Sequence, residues 1–157
     1  YWAAPMIDAQ LAGFLQQGLG LHVGTCDAAL RPSGGRAVTL AVDADGRHLT
    51  VYVPDVAMQR LRADLERTGQ IAISVGRPED ERACQVKGMV VAMAPAVEAD
   101  RPLIDAQLAH YVHQLALIGI PPQLATGWAS WPATAVRVKV SAVFEQSPKP
   151  GTGHAIA

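Results

Sequence analysis

The sequence predicts an α+β fold in which six antiparallel strands form a barrel-like sheet and three helices flank it. Residues 36–53 contain two extended segments joined by the turn sequence DADG, and Asp45-Gly46 is a strong hairpin signal. A doubly wound parallel sheet would require a helix between successive strands, and none fits between these two. The last extended segment alternates valine with polar residues over 136–141, which is typical of a strand with one buried face.

The composition is that of one globular domain spanning residues 1–157, with a Pro- and Gly-rich tail from about residue 147. Half of the residues are hydrophobic, so the chain can bury a core. The net charge of -1 gives no electrostatic case for binding nucleic acid or a membrane surface. Cys26 and Cys84 are too few for a disulfide framework, and no signal peptide is visible. We therefore expect a cytoplasmic protein with reduced thiols.

Three helices are predicted from capping residues and apolar periodicity. The first begins after Asp8 and ends before Gly18, the second covers 55–68, and the third runs from about 102 to 118. An aspartate precedes or opens each helix, where its carboxylate could accept from free backbone N–H groups. The predicted caps are Asp8, Asp55 and Asp100 at the helix starts and Gly69 at the end of the second helix.

The strand predictions follow from short apolar runs bounded by turn residues. The RPSGG sequence at 31–35 predicts a turn between the first and second strands, because it places proline and two glycines together. Gly88 lies inside the longest strand and indicates a bulge or a close backbone approach. The predicted strands cover residues 21–26, 36–43, 48–53, 70–76, 83–93 and a final segment around 136–141.

No constellation of side chains in the sequence marks a catalytic site. His110 and His113 are spaced to bind a metal from one helix, but no third ligand follows at a recognisable spacing, which favours two solvent-facing histidines. Cys84 lies on a predicted strand and is expected in the core. The glycines of GLGLHVG lack the strand–turn–helix order of a dinucleotide fingerprint. We therefore predict neither catalytic side chains nor a metal site.

The order of the extended segments carries the functional signal. It comprises RAVTL from Arg36, VYV around Tyr52, QVKG ending at Gly88 and the closing VFEQSPKPGTG. In this order the segments resemble the FMN-binding split β-barrel of the pyridoxamine 5'-phosphate oxidase-like superfamily, in one of its bacterial branches. The resemblance extends from about residue 7 to residue 153 and implies a six-stranded split barrel that forms a homodimer.

The resemblance also implies a flavin-dependent, oxidoreductase-like function with FMN in a groove at the dimer interface. The electron chemistry would come from the cofactor, so the protein has to hold a phosphate and cover an apolar ring. Arg36, with help from Arg60 or Lys87, would bind the phosphate. The backbone around Val38 and the side chain of Tyr52 would flank the ring. The substrate and the electron donor are not implied.

The sequence departs from the oxidase pattern at the turn that supplies further phosphate-binding residues in the oxidases. Where the oxidases carry a Ser-Arg-Lys-like turn, this chain has Ala57, Met58 and Gln59, with Arg60 one step later. This favours a second possibility, a split-barrel dimer that has lost FMN and binds haem, a deazaflavin or another small molecule, or acts as a non-catalytic binding module.

Each candidate residue also has an interpretation without a ligand. Trp128 and Trp131, which stand close together in GWASWP, would cover the core rather than stack on a ligand. For the remaining candidates, the ligand-free interpretations are an Arg36–aspartate pair, a surface or dimer-face Tyr52, a solvated Lys87 and a helix-surface Arg60.

Overall fold

The computed structural model describes residues 6–157, and within them seven strands form one curled antiparallel sheet. The strands are β1 (Gly20–Cys26), β2 (Pro32–Ala37), β3 (Thr39–Val42), β4 (His48–Pro54), β5 (Gln70–Gly76), β6 (Ala83–Pro95) and β7 (Ala133–Glu145). The helices are α1 (Ala9–Leu15), α2 (Asp55–Thr68) and α3 (Arg101–Leu117). Two short 3-10 turns, Glu98–Asp100 and Pro122–Ala125, flank α3. The α+β prediction is confirmed.

The sheet runs in the order β2-β1-β5-β6-β7-β4-β3, so the two strands of the RAVTL segment lie at its opposite edges. Its concave face carries the alternate apolar residues of each strand, and helix α2 packs against β2 and β1. Gly35 permits this packing, since a Cβ there would lie 3.2 Å from the Ala57 side chain. The core contains Leu21, Val23, Leu49, Val51, Leu61, Ile73, Val86 and Val138, all nearly fully buried.

The predicted strand 36–43 is two strands, which makes seven strands rather than six. The chain leaves one edge after Ala37 and joins the other at Thr39, with Val38 between them donating its N–H to the Tyr52 carbonyl at 2.9 Å. A continuous apolar alternation hides this corner, because the residue pattern does not change when a strand changes its partner.

The turn predicted at 31–35 is wrong, because these residues lie largely in β2. Gly35 lets α2 approach the sheet rather than making a turn. The turn lies just before this strand, where the Asp27 carboxylate accepts from the backbone N–H groups of Ala29 at 2.9 Å and Arg31 at 3.0 Å. Such a side-chain-to-backbone bond closes a turn without glycine or proline.

Of the three aspartates predicted to cap helices, only one does so. Asp8 caps α1 as predicted, accepting from the Leu11 N–H at 2.8 Å. Pro54 occupies the N-cap position of α2 instead of Asp55, whose carboxylate accepts from the Thr134 hydroxyl at 2.8 Å. Asp100 precedes α3 but makes no capping bond to it. Tertiary partners therefore take both carboxylates.

Glycines mark two close approaches. Gly88 lies at a register shift between β6 and β7, where a Cβ would fall 2.4 Å from the Lys139 carbonyl oxygen, so the prediction of a bulge and a close approach is confirmed. Gly20 lies under helix α3, with a Cβ position 3.0 Å from the Tyr111 hydroxyl.

The tail folds back on the sheet. Ala155 forms an isolated bridge with Phe144, and Gly153 donates its N–H to the Glu145 carbonyl at 2.7 Å. The tail thus covers the last part of the β7 edge that β4 leaves open. Of the helices in residues 6–157, none has the length and apolar character that crossing a membrane demands.

Candidate functional site

Arg36 lies on β2 with its guanidinium against two aromatic rings. Its Cζ is 3.8 Å from the centroid of the Trp128 ring and 5.2 Å from that of Tyr111. These rings stack on each other, 6.0 Å apart and inclined by 27°. Among residues 6–157 no carboxylate pairs with Arg36, so the ligand-free interpretation of an Arg36–aspartate pair is wrong.

The stacking leaves the hydrogen-bonding edge of Arg36 available. A guanidinium that stacks through its face points its N–H donors outward in its own plane, where they can meet a carboxylate or a phosphate. No described residue takes these donors. Burial lowers the pKa of Arg36 below its usual value, although the group stays charged. The geometry presents a fixed, half-buried cation without an anion.

A groove of about 470 Å³, here called the His22 groove, begins beside this cation. His22 lies opposite Arg36 across the β1–β2 pair, and Tyr111 of α3 closes the same end. The floor continues across β5 and β6 through Ser74 and Gln85, which face each other in register. The far wall is the β5–β6 turn, in which Arg77 pairs with Asp80 at 2.7 Å.

Val38 and Tyr52 are adjacent but covered by their own chain. They are only 5% and 7% exposed and belong to a small apolar cluster with Ile104 of α3 and Trp131. The Tyr52 hydroxyl donates to Asp100 at 3.1 Å, and burial, aided by that carboxylate, raises the pKa of Tyr52 to about 12. The surface on which the resemblance places a flavin ring is therefore occupied by α3. Trp131 covers this cluster, as its ligand-free interpretation predicts.

Arg60 and Lys87 do not converge on Arg36. Successive strand residues point to opposite faces, so Arg36 points away from α2, which packs beside Gly35 and carries Arg60. Lys87 lies on β6, three strand spacings or roughly 14 Å from β2 at the backbone. Its ammonium is 5.3 Å from the Phe144 ring centroid, at the side of a second cavity of about 410 Å³. Of the three predicted phosphate ligands, only Arg36 lies next to the His22 groove, beside His22 and Tyr111, which line it.

Other reactive groups have structural roles. Cys84 is buried as predicted, and burial raises the pKa of its thiol to about 11. In the part of the chain that the structure describes, His110 and His113 join no metal-ligand cluster. Asp43, Asp45 and His48 do cluster, but Asp43 pairs with Arg137 at 2.7 Å and Asp45 with His48 at 2.7 Å.

Sequence reasoning missed Tyr111, His22 and Ser74. Tyr111 has no local signal of a site, and His22 is a single histidine in the first strand. The alternation Leu21, His22, Val23 could have placed His22 on the outer face of its strand. Nothing local could have indicated that α3 would cross above it.

FMN, which the fold class implies, fits this chain only in part. Arg36 supplies a cation whose N–H donors no described residue takes, so it could hold a phosphate. The ring surface does not fit, because Ile104 and Trp131 cover Val38 and Tyr52. Neither Arg60 nor Lys87, the two other predicted phosphate ligands, lies beside Arg36.

The sheet and its three helices define a split β-barrel. The fold is that of the pyridoxamine 5'-phosphate oxidase-like, FMN-binding proteins, as the sequence resemblance predicted. No protein-family model matches the sequence. A search of curated proteins finds no match either.

Three solved structures illustrate the similarity. A protein named F420 reductase aligns with a TM-score of 0.56 at 17% identity, covering 83% of this chain and 93% of its own. An FMN-binding protein from Syntrophomonas wolfei aligns at 0.52 and 12%, covering 87% and 86%. HutZ, the haem storage protein from Vibrio cholerae, aligns at 0.51 and 17%, covering 88% and 94%. Identities this low establish the shared fold alone.

Proposed function

We propose that this chain binds a planar, conjugated cofactor that carries an anionic tail, and that Arg36 holds the anion. The observation that carries the proposal is the half-buried Arg36 guanidinium, stacked on Trp128 and Tyr111 with no carboxylate partner in residues 6–157. A buried cation is normally paired, so a fixed unpaired one favours an anionic ligand. FMN, F420 and haem, named for the structural neighbours, are all conjugated rings with phosphate or carboxylate groups.

FMN is the first ligand to test, in a flavin-dependent oxidoreductase whose substrate is unspecified. A bound flavin would supply the electron transfer. The chain would hold the phosphate through the edge of Arg36 and limit water on one side through Trp128 and Tyr111. We assign no catalytic side chain.

The test is a fluorescence titration of purified protein with FMN. Arg36→Ala should weaken binding by about 1.5–3 kcal/mol, roughly 10- to 150-fold, because it removes a charge-assisted bond. Arg36→Lys should recover only part of the loss, since an ammonium lacks the planar fork and the stacking. Arg67→Ala, on the exposed side of α2, is the control and should bind like the wild type. Equal affinity of Arg36→Ala and the wild type would reject the assignment.

A second candidate is a split barrel that has lost FMN and binds haem or a deazaflavin, or serves as a binding module. Two observations favour it. Ala57, Met58 and Gln59 stand where the oxidases have their Ser-Arg-Lys-like phosphate clamp, and helix α3 covers Val38 and Tyr52. Titration of the same protein with haemin and with F420 separates the candidates. Tight haemin binding with no retention of FMN would select the second.

We also propose a homodimer located in the cytoplasm. Met89 and Val91 on the outer face of β6 are 44% and 49% exposed, and a second copy would bury such a patch. Both cysteines are free thiols, which agrees with a reducing compartment.

A further inference from the structure

We propose that the conjugated ring of the ligand lies in the His22 groove, on the outer face of β1, β5 and β6, and not against Val38 and Tyr52. The inference rests on the proposed function and adds the location of the ring and the chemistry of its edge. The occupant is a heteroaromatic ring with hydrogen-bonding groups on its rim, as in flavins and deazaflavins.

Steric access is the first argument. Val38 and Tyr52 are covered by Ile104 and Trp131, so a ring there would have to displace α3. The His22 groove is open, with a volume of about 470 Å³. This falls in the range of small-molecule sites.

Gly76 is the second argument, because at this position the groove floor is bare backbone where the strand would tolerate a side chain. Gly76 lies in β5, and a Cβ built on it meets no atom within 4 Å. Packing within the chain therefore does not require glycine at this position. Gly76 is the last residue of β5, and a glycine that packing does not require often marks a place where a ligand approaches closely. A flat ring can lie against the backbone at Gly76 because no side chain projects from this position.

The polar row is the third argument. His22, Ser74 and Gln85 lie side by side on three neighbouring strands, and the Gln85 amide donates to the Ser74 hydroxyl at 3.3 Å. The row offers donors and acceptors in one line across the floor of the groove. This suits a ring edge with alternating carbonyl and N–H groups better than the hydrocarbon rim of a porphyrin.

The position of Arg36 is the fourth argument. Arg36 faces His22 across the β1–β2 pair, and its guanidinium lies over Tyr111, which lines the groove. An anion held by Arg36 therefore places the rest of the ligand at the open end of the groove.

Two strand glycines give a matched test. Gly76→Val fills the His22 groove, whereas Gly24→Val fills the neighbouring cavity of about 410 Å³, and both Cβ positions are free of contacts in the chain. Both variants should keep or raise the wild-type Tm, because valine suits a strand better than glycine does. With FMN and F420 as probes, Gly76→Val should lose at least about tenfold in affinity by steric exclusion, and Gly24→Val should bind like the wild type.

The outcomes separate the two proposals. Wild-type protein that binds none of FMN, F420 and haemin would overturn the proposed function. Wild-type protein that binds haemin but neither FMN nor F420 would overturn only the location. A wild type that binds, with Gly76→Val binding equally well, would overturn the location and leave the anion site at Arg36 intact. Ser74→Ala provides a second measurement without added bulk, and it should weaken FMN binding severalfold if the ring edge contacts the polar row.

Discussion

At the scale of single residues, the structure assigns partners that the residue types leave open. Tyr52 is an example, since an aromatic residue at the end of a strand could face a ligand, a second subunit or the core. Here it lies in the small apolar cluster with Ile104 and Trp131 and donates its hydroxyl to Asp100. The same carboxylate accepts from the Val97 N–H at 2.9 Å, so Asp100 links β4 to the start of α3.

Tyr52→Phe should lower the free energy of unfolding by about 0.5–1.5 kcal/mol, because Asp100 loses one hydrogen bond while the ring still packs. Urea denaturation measures the change. Tyr111→Phe is the matched control, since the Tyr111 hydroxyl makes no hydrogen bond within residues 6–157. Equal stability of Tyr52→Phe and the wild type would mean that the Asp100 contact contributes nothing.

At the scale of elements, helix ends show how local chemistry and tertiary contacts compete. The end of α2 is local, because Gly69 adopts a left-handed conformation with φ of 68° and donates its N–H to the Leu65 carbonyl at 3.0 Å. The start of α2 is tertiary, because the Asp55 carboxylate accepts from Thr134 on β7. Sequence patterns predict the first kind of end well and the second kind poorly.

Two glycine-to-alanine changes should have opposite signs. Gly69→Ala forces an L-residue into the left-handed region and should destabilise the protein by about 1–2 kcal/mol. Gly13→Ala lies inside α1, where a Cβ meets no atom within 4 Å, and should stabilise it by about 0.5–1 kcal/mol. Thermal unfolding of the two variants measures both. A stabilised Gly69→Ala protein would contradict the cap assignment.

At the scale of the whole molecule, the tail packs along the end of β7, and the outer face of β6 exposes an apolar patch. The Glu145 carboxylate accepts from the Ser147 N–H at 2.9 Å and pairs with the Lys149 ammonium at 3.2 Å. The bonds from Ser147, with support from Lys149, lower the pKa of Glu145 from 4.5 to about 2. The tail is therefore held on the sheet by an ionised carboxylate.

Stability should fall as the pH drops below about 4.5. Because the pKa of Glu145 is lower in the folded state, its contribution is fully present above 4.5 and is lost as the pH approaches 2. Asp45 and Asp80, whose pKa values are also about 2, likewise contribute stability that is lost as the pH falls toward 2. Urea denaturation at pH 7 and pH 2.5 should show a smaller difference for Glu145→Gln than for the wild type. Glu79→Gln, which removes an exposed carboxylate without an ion pair among the described residues, should retain the wild-type difference.

The proposed dimer gives a prediction at the same scale. Val91→Glu should convert the protein to a monomer in light-scattering measurements, because it places a charge on the exposed apolar patch of β6. Val56→Glu is the control, since Val56 is 59% exposed on α2, away from that patch, and should remain dimeric. A monomeric wild type would reject the homodimer.

The sequence by itself determined the elements whose signals are local. Alternation defined the strands, the Asp45-Gly46 turn defined the β3–β4 hairpin, and Asp8 and Gly69 defined two helix ends. Their order was enough to predict the split barrel. These features depend on neighbouring residues along the chain, so a single sequence contains them.

Only the tertiary structure decided which surfaces remain open. The position of α3 covers Val38 and Tyr52, places Tyr111 over Gly20 and brings Trp128 onto Arg36. None of these contacts has a local signature, because α3 is apolar around much of its circumference and its pattern does not choose a face. The division of strand 36–43 was hidden for a similar reason, since a change of strand partner leaves the residue alternation intact. The sequence predicted Arg36 as the anion ligand, and the long-range packing of α3 is the reason why we propose the His22 groove, and not Val38 and Tyr52, for the ring.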